Sequence, residues 1–577
     1  AASSLESIEF NPQGLANMAW SCAVVQFRSA PLMDAICDGA TAKIGQFTEQ
    51  NISNTAWAFA KLQMMNEPFS RCLSDEAVSR IDEFFPQALS NMAWAWAALL
   101  LRDVRLIRAV SSKAVSIIEH FNPQNLSNVS WALATLGDFD EPLLDAVASM
   151  TVSKIHAFPT QEIVNTAWAV ARLTYRHGPM MSELSSAAIA GLGKFRARDL
   201  ANFAWSSARL KVADEDLIMS IAMAAAKHIN ECTAQELSNL AWAMATLKIA
   251  NLELMAAIAE QAIRKIRDFL VQHLANTAWA FATLGIKNAV LFEAIAEDAI
   301  NKMRFFEPQA LTNIVWAFAT VGIRHDRLLD AIVSQAKTLT HEYIPQDIGN
   351  TSWAMAKLGY CDLGLMEALA SAAIPLMSTF IAQEITNTIW GFATLAIHNG
   401  ALLEAVSRES IRRTREYDPQ ALSNTIWSYA TLGVCDAPLL AAISAETIGK
   451  LPSFLPQNTS NTVWAFAKLS VQDHQLLHAI ARPASTKLTQ FQPQELSNTA
   501  WAIAKLGFRT SLLMDAIAVE AQRVASTLNP HDLSAIAWAF ATLSCVDHKP
   551  LLGVLSEASM PLLSEFNSQD LANTAWS

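Results

Sequence analysis

Residues 419–427 read Pro419-Gln420-Ala421-Leu422-Ser423-Asn424-Thr425-Ile426-Trp427, and near-copies of this stretch recur along the whole chain. Tryptophan sets the register. Trp20, Trp57, Trp94, Trp131, Trp168, Trp205, Trp242, Trp279, Trp316, Trp353, Trp390, Trp427, Trp464, Trp501 and Trp538 stand 37 residues apart, and Trp576 follows at 38. Three residues before these tryptophans stands asparagine in fifteen of sixteen repeats, Ala535 being the exception. Seven before stands glutamine in fourteen, with Arg198 and His531 in its place, and twelve after stands a large apolar residue in the first fourteen repeats. Four aligned columns at one period define stacked supersecondary units.

Each unit reads as two helices. In the fourth repeat, Asn122-Pro123-Gln124 supplies an N-cap and a proline at the first helical position. The apolar pattern through Leu126, Trp131 and Leu136 ends at Gly137, where a left-handed cap belongs. Asp140 and Glu141 favour the N-terminus of a second helix with Leu143, Leu144, Val147 and Ile155 as its apolar stripe, and Lys154 suits its last turn. No segment alternates with period two. The expected fold is all-α, a right-handed superhelical solenoid of about sixteen helix-turn-helix repeats. It should form one continuous array over residues 1–577, with the sixteenth repeat incomplete and no separate catalytic domain. The single extra residue before Trp576 falls between Ser544 and Pro550, in the loop between helices, where insertion costs little.

Composition narrows the function. The net charge of −12 argues against a protein held to nucleic acid by bulk electrostatics, because counterion release needs Lys and Arg. The longest uncharged apolar run, Met92 to Leu101, is about half a membrane span, so no membrane insertion is expected. The seven cysteines never adopt a metal-ligand spacing and read as buried small hydrophobes of a reducing compartment. Starting at Ala1 and stopping at Ser577 within a motif, the chain reads as a processed or partial piece.

The first helix has two faces. Residues five and one before Trp, and two, three and five after it, form a wide alanine-rich apolar arc. The opposite arc carries Gln, Asn, Trp and the residue four after Trp, and in a two-layer solenoid it would line the concave groove. Two readings of the Asn and Trp columns stand side by side. One is a ladder in which each amide bonds a neighbouring repeat and each indole packs on the next first helix. The other is a platform that bonds and stacks bases, with Asn54, Asn91, Asn128, Asn165, Asn202, Asn239, Asn276, Asn313, Asn350, Asn387, Asn424, Asn461 and Asn498 as RNA-contacting candidates. A residue common to nearly every repeat cannot distinguish one nucleotide from another, so any code must sit in columns that vary.

Two such columns stand out. Four after Trp come Lys61, Arg172, Arg209, Lys357, Lys468 and Lys505, with threonine in seven other repeats. They would contact phosphates, or else satisfy carbonyls at their own helix ends. Six before Trp the column mixes Asn51, Glu162, Asp347 and other acids and amides, as the helix dipole favours. A second basic set (Lys154, Lys227, Arg264, Lys265, Arg267, Lys302, Arg304, Arg412, Arg413, Arg415, Lys450 and Arg523) ends the second helices and predicts one electropositive edge. No catalytic constellation, nucleotide-binding motif or metal-ligand pattern occurs in the sequence, so neither enzyme activity nor a cofactor is expected.

The Pro-Gln-x-Leu-x-Asn-x-x-Trp core, as in 419–427, resembles the octotricopeptide repeats of algal organelle proteins, and the 37-residue period is still more similar to heptatricopeptide repeats. The resemblance spans essentially the whole chain. It implies a mitochondrial or plastid RNA binder acting in RNA stabilisation, processing, splicing, translation or ribosome assembly on single-stranded or ribosomal RNA. By analogy with other helical-repeat readers the scale would be about one nucleotide per repeat. A protein-binding scaffold in a large organellar complex is the alternative.

Overall fold

The computed structural model describes residues 10–212, 214–544 and 549–577. Among these, thirty-one α-helices alternate with short 3-10 turns, and no strand occurs. The chain divides into two compact units, residues 1–291 and 292–577. Each is an array of helix pairs in which first helices pack on first helices and second helices on second helices. In the second unit, Pro308–Val321 packs on Pro345–Lys357, which packs on Ala382–Thr394. No helix among the described residues is long and apolar enough to cross a membrane.

Alanine explains the close stacking. The residues one and three after Trp are small, as is the one before it except at Val315, Ile389, Ile426 and Val463, and Ala278, Ala280 and Ala282 are buried almost completely. Small side chains let axes approach toward the ~8 Å end of the usual range. Gly391 takes this furthest, since a Cβ there would lie 2.5 Å from the Ser352 carbonyl oxygen.

The first helix ends as its sequence predicts. Gly137 has φ +69°, and the equivalent position six after Trp is left-handed even where glycine is absent, as at Thr174 with φ +54°. There Tyr175 N–H bonds the Val170 carbonyl at 2.9 Å and Thr174 N–H that of Ala171 at 3.1 Å. This is a Schellman cap. The second helix starts at an N-cap nine after Trp, where Asp140 Oδ1 accepts from Leu143 N–H at 3.1 Å.

Two features lie outside the expectation. Second helices run into a short 3-10 turn, of three residues as in Thr414–Glu416 except for the six-residue Met560–Glu565. After the turn, ten before Trp, comes a buried and mostly aromatic residue: Phe47, Phe84, Phe121, Phe269, Phe380 and Tyr417 are examples. Together with the buried Leu or Ile five before Trp it occupies the positions of a hydrophobic staple, which fixes how the chain enters the next first helix.

Cys22, Cys37 and Cys232 are buried as expected. Cys361 and Cys435 are exposed instead, because both fall in the loop just ahead of a second helix. Cys545 and the extra loop residue lie outside the described residues.

Candidate nucleic-acid interface

The glutamines seven before Trp are exposed, and the asparagines three before it are half-buried in all but the first repeat, where Asn17 is exposed. No amide of this asparagine column bonds a neighbouring repeat among the described residues. Asn276 Oδ1 accepts from Gln272 of its own helix at 2.9 Å, and Asn573 from Gln569 at 3.0 Å. The expected inter-repeat amide ladder is therefore absent from this column. Apart from these two acceptors, its half-buried amides make no side-chain hydrogen bond among the described residues.

Several neighbouring indoles do pack on one another. Ring centroids lie 6.2 Å apart for Trp57–Trp94 and Trp94–Trp131, and 6.4 Å for Trp205–Trp242 and Trp427–Trp464. A base inserted between two rings needs ~3.4 Å on each side. Between these rings the gap is too narrow, so the paired indoles support one another and offer only their outer edges. The terminal members, Trp20 and Trp576, are 47% and 61% exposed.

Four after Trp, all six cations are exposed. Arg172 bonds the Ala134 carbonyl of the preceding repeat at 3.0 Å and lies 5.4 Å over the Trp168 ring. Lys61, Arg209, Lys357, Lys468 and Lys505 make no ion pair or hydrogen bond among the described residues, so they do not cap their own helices. Eleven residues of helix separate this column from the glutamines, about 16 Å along the axis. One end of the face thus carries amides and the other carries free cations.

The column six before Trp is structural. Many of its polar side chains accept from the N-cap amide of their own helix, as in Thr48 N–H to Asn51 Oδ1 at 3.1 Å and Ile344 N–H to Asp347 Oδ2 at 3.2 Å. Burial pushes the carboxyl groups of Asp347 and Glu384 above their ordinary values, against the lowering effect of these hydrogen bonds. At the second-helix N-cap, Asp103 is also desolvated. There, bonds from Ser74 and the Leu106 and Arg105 amides, with the Arg105 charge, outweigh burial and hold it below the ordinary value.

Most of the second basic set is committed to carbonyls or carboxylates rather than left free. Lys154 Nζ donates to the Glu119 and Phe121 carbonyls at 2.6 and 2.8 Å, and Lys265 to those of Asn230 and Cys232 at 2.9 and 2.6 Å. Arg264, Arg412 and Arg523 pair with Glu260, Glu409 and Glu520 of their own helices. These cations bind successive repeats together or are neutralised.

Glu293, Glu297 and His325 come together closely enough to suggest a cation site. His325 Nδ1, however, accepts the Leu328 N–H at 3.1 Å, so Nε2 carries the ring proton toward the two carboxylates at 3.6 and 3.7 Å. Arg327 further neutralises Glu297 at 2.8 Å. The cluster is a helix cap with its ion pairs.

The column nine before Trp is the one the sequence reading missed. It is the N-cap of every first helix and sits beside the exposed glutamine. Two cavities open between neighbouring first helices at this end. One, about 350 Å³, is lined by Glu307, Gln309, Asn313, Ile344, Gln346 and Asn350 among others. The other, about 410 Å³, has the equivalent Ile381, Gln383, Asn387, Asp418, Gln420 and Asn424.

The crystal structure of the pentatricopeptide repeat protein PPR10 from maize is similar at TM-score 0.35 and 11% identity, over 98% of this chain and 95% of that one. Kap121p bound to Nup53p is similar at TM-score 0.23 and 10% identity, over 99% and 73%. At such values neither likeness bears on ligand. No curated protein matches the sequence. The family model of the RNA-editing substrate-binding complex 6 protein matches residues 7–141, 124–215, 149–400 and 399–577. The coarser half of the expectation, a helical-repeat family associated with RNA, stands; the octotricopeptide and heptatricopeptide assignment is not the one matched. Since these segments together take in nearly every residue, the chain belongs to the RNA-editing substrate-binding complex 6 protein family.

Proposed function

We propose that the chain binds single-stranded RNA along the first-helix face of its repeats, as a subunit of an RNA-editing substrate-binding complex. One observation carries this reading: five exposed cations without partners, in register with half-buried amides that no neighbouring repeat uses. In an acidic protein, keeping such a column unpaired favours a ligand with regularly spaced negative charge. The family supports RNA and protein partners together. An organellar location follows from the sequence resemblance. The protein acts by binding rather than catalysis.

Filter binding across a salt series tests the proposal. Each phosphate contact to a single strand contributes a slope of about −0.7 in log K against log salt. Replacing Lys357, Lys468 and Lys505 together with Ala should flatten the slope by about 2 and weaken all sequences alike. A flat wild-type line would remove the phosphate role.

A second reading, a protein scaffold, is favoured by the net charge of −12 and by the acids Glu416 and Asp418 beside the amides. Partners retained after ribonuclease treatment would support it.

A further inference from the structure

We infer that the junction between adjacent first helices is a nucleobase pocket, and that the residue nine before each tryptophan selects the base that enters. The inference rests on the RNA reading above and adds where sequence is read.

The N-cap position favours Ser, Thr, Asp or Asn, and replacing these by an apolar residue costs about 1 kcal/mol of helix stability. Asn11, Thr48, Asn122, Thr233, Asp418, Asn529 and Asn567 cap in this way. Five repeats instead place Phe85, Leu270, Ile344, Ile381 or Leu455 there, between 42% and 67% exposed. The core gains nothing from them, because the buried residue just before each one already seals the loop. A large apolar side chain that surrenders a cap and faces solvent is placed for contact with something outside the chain.

The two cavities show what that contact is. Each sits between two repeats and is lined by two glutamines and two asparagines. Their amides can donate to or accept from any base edge, and being shared by nearly all repeats they cannot discriminate. The residues nine before Trp differ. In each cavity one is aliphatic (Ile344 or Ile381) and the other acidic (Glu307 or Asp418). Volumes of about 350 and 410 Å³ fall at the small end of the ligand-pocket range.

An isoleucine offers a flat apolar surface to the face of a base. A carboxylate only accepts, so it prefers a base with an exocyclic amino group over uracil, whose exocyclic groups are carbonyls. Asp418 uses Oδ1 to hold the Ala421 N–H at 2.7 Å and keeps Oδ2 for a ligand. Arg413 neutralises Glu416 at 2.6 Å, whereas the Asp418 carboxylate repels phosphate from this end, which fits the free cations lying at the other end of the helices.

The test uses the full chain with fluorescent A16, C16 and U16 oligoribonucleotides. Asp418→Asn keeps an N-cap, and Asp418→Leu reproduces what Leu455 shows to be tolerated, so both variants should fold. The preference for A16 and C16 over U16 should narrow at least about fivefold in both, with the salt slope unchanged. If the variants shift all three oligomers alike, or none, the pocket inference falls while RNA binding stands. If the wild-type chain binds none of the three, the RNA reading falls and takes the inference with it.

Discussion

Asn125 Nδ2 donates to Ser90 Oγ at 3.0 Å, tying the first turn of one first helix to its predecessor in the buried interior. Asn458 bonds Ser423 in the same way at 3.2 Å, and Ser497 and Ser534 donate to Asp532 and Asp570 at 2.5 and 3.1 Å. Ser460, which faces Glu495, has no partner. The longer glutamate is committed to the Gln492 N–H at 2.8 Å. Short side chains six before Trp therefore serve both as cap and as clasp.

Asp347 occupies this position as a buried carboxylate whose pKa burial raises. A group raised in the folded state contributes stability at low pH and loses it as pH climbs through the folded value. Asp347→Asn should keep the Ile344 cap and remove the burial cost of a charged carboxylate, gaining about 1 kcal/mol at pH 7. Amide exchange in Pro345–Lys357 should slow about fivefold. The advantage should vanish as pH falls into the carboxylate range; a gain that persisted there would contradict this account.

Gly391→Ala should push Ala382–Thr394 away from Pro345–Lys357, because the new methyl would sit 2.5 Å from the Ser352 carbonyl oxygen. Overpacking of this kind costs about 1–3 kcal/mol. Limited proteolysis should show faster cutting confined to these two repeats.

Thr174 is a β-branched residue held at φ +54°. Left-handed geometry costs such a residue about 1–2 kcal/mol, more than the 0.5–1 kcal/mol of chain entropy that glycine brings. Thr174→Gly should raise protection at the end of Thr160–Arg172 severalfold. The reverse change, Gly137→Thr, should lower it in the fourth repeat.

Lys450→Met keeps the stem but removes donors to the Arg415 and Tyr417 carbonyls, bonded at 2.8 and 2.7 Å. Charge-assisted bonds of this kind contribute about 1.5–3 kcal/mol each, toward the lower end where water reaches them. Hydrogen exchange should accelerate around Thr414–Glu416 and leave distant repeats unaltered.

What the sequence discloses is whatever repeats within one unit. The period, the helix pair, the left-handed stop at Gly137 and the Asp140 cap are local events governed by neighbours a few residues away. Contacts that reach into the next repeat were hidden. Nothing inside one repeat says that Lys154 serves Phe121 or that Asn125 serves Ser90, since the partners are 33 and 35 residues back. The candidate site was half legible. Cations four after Trp stand out by sign, whereas the column nine before Trp could have been found only by asking why Leu270 or Ile381 replaces a capping residue. The indole column left two readings open, a ladder and a base platform, because a regular aromatic fits both until the ring spacing is known.

The lysine ties give each array a sense of direction. Lys43 donates to the Phe10 carbonyl, Lys154 to Phe121, Lys265 to Cys232, Lys450 to Tyr417 and Lys487 to Phe454, always from a later repeat to the one before it. Trimming from the C-terminal side leaves bare carbonyls that water can satisfy. Trimming from the N-terminal side strands ammonium groups shaped to a surface that no longer exists. On the ribosome the order is favourable, because each newly emerged second helix delivers the cation that finishes the loop already made.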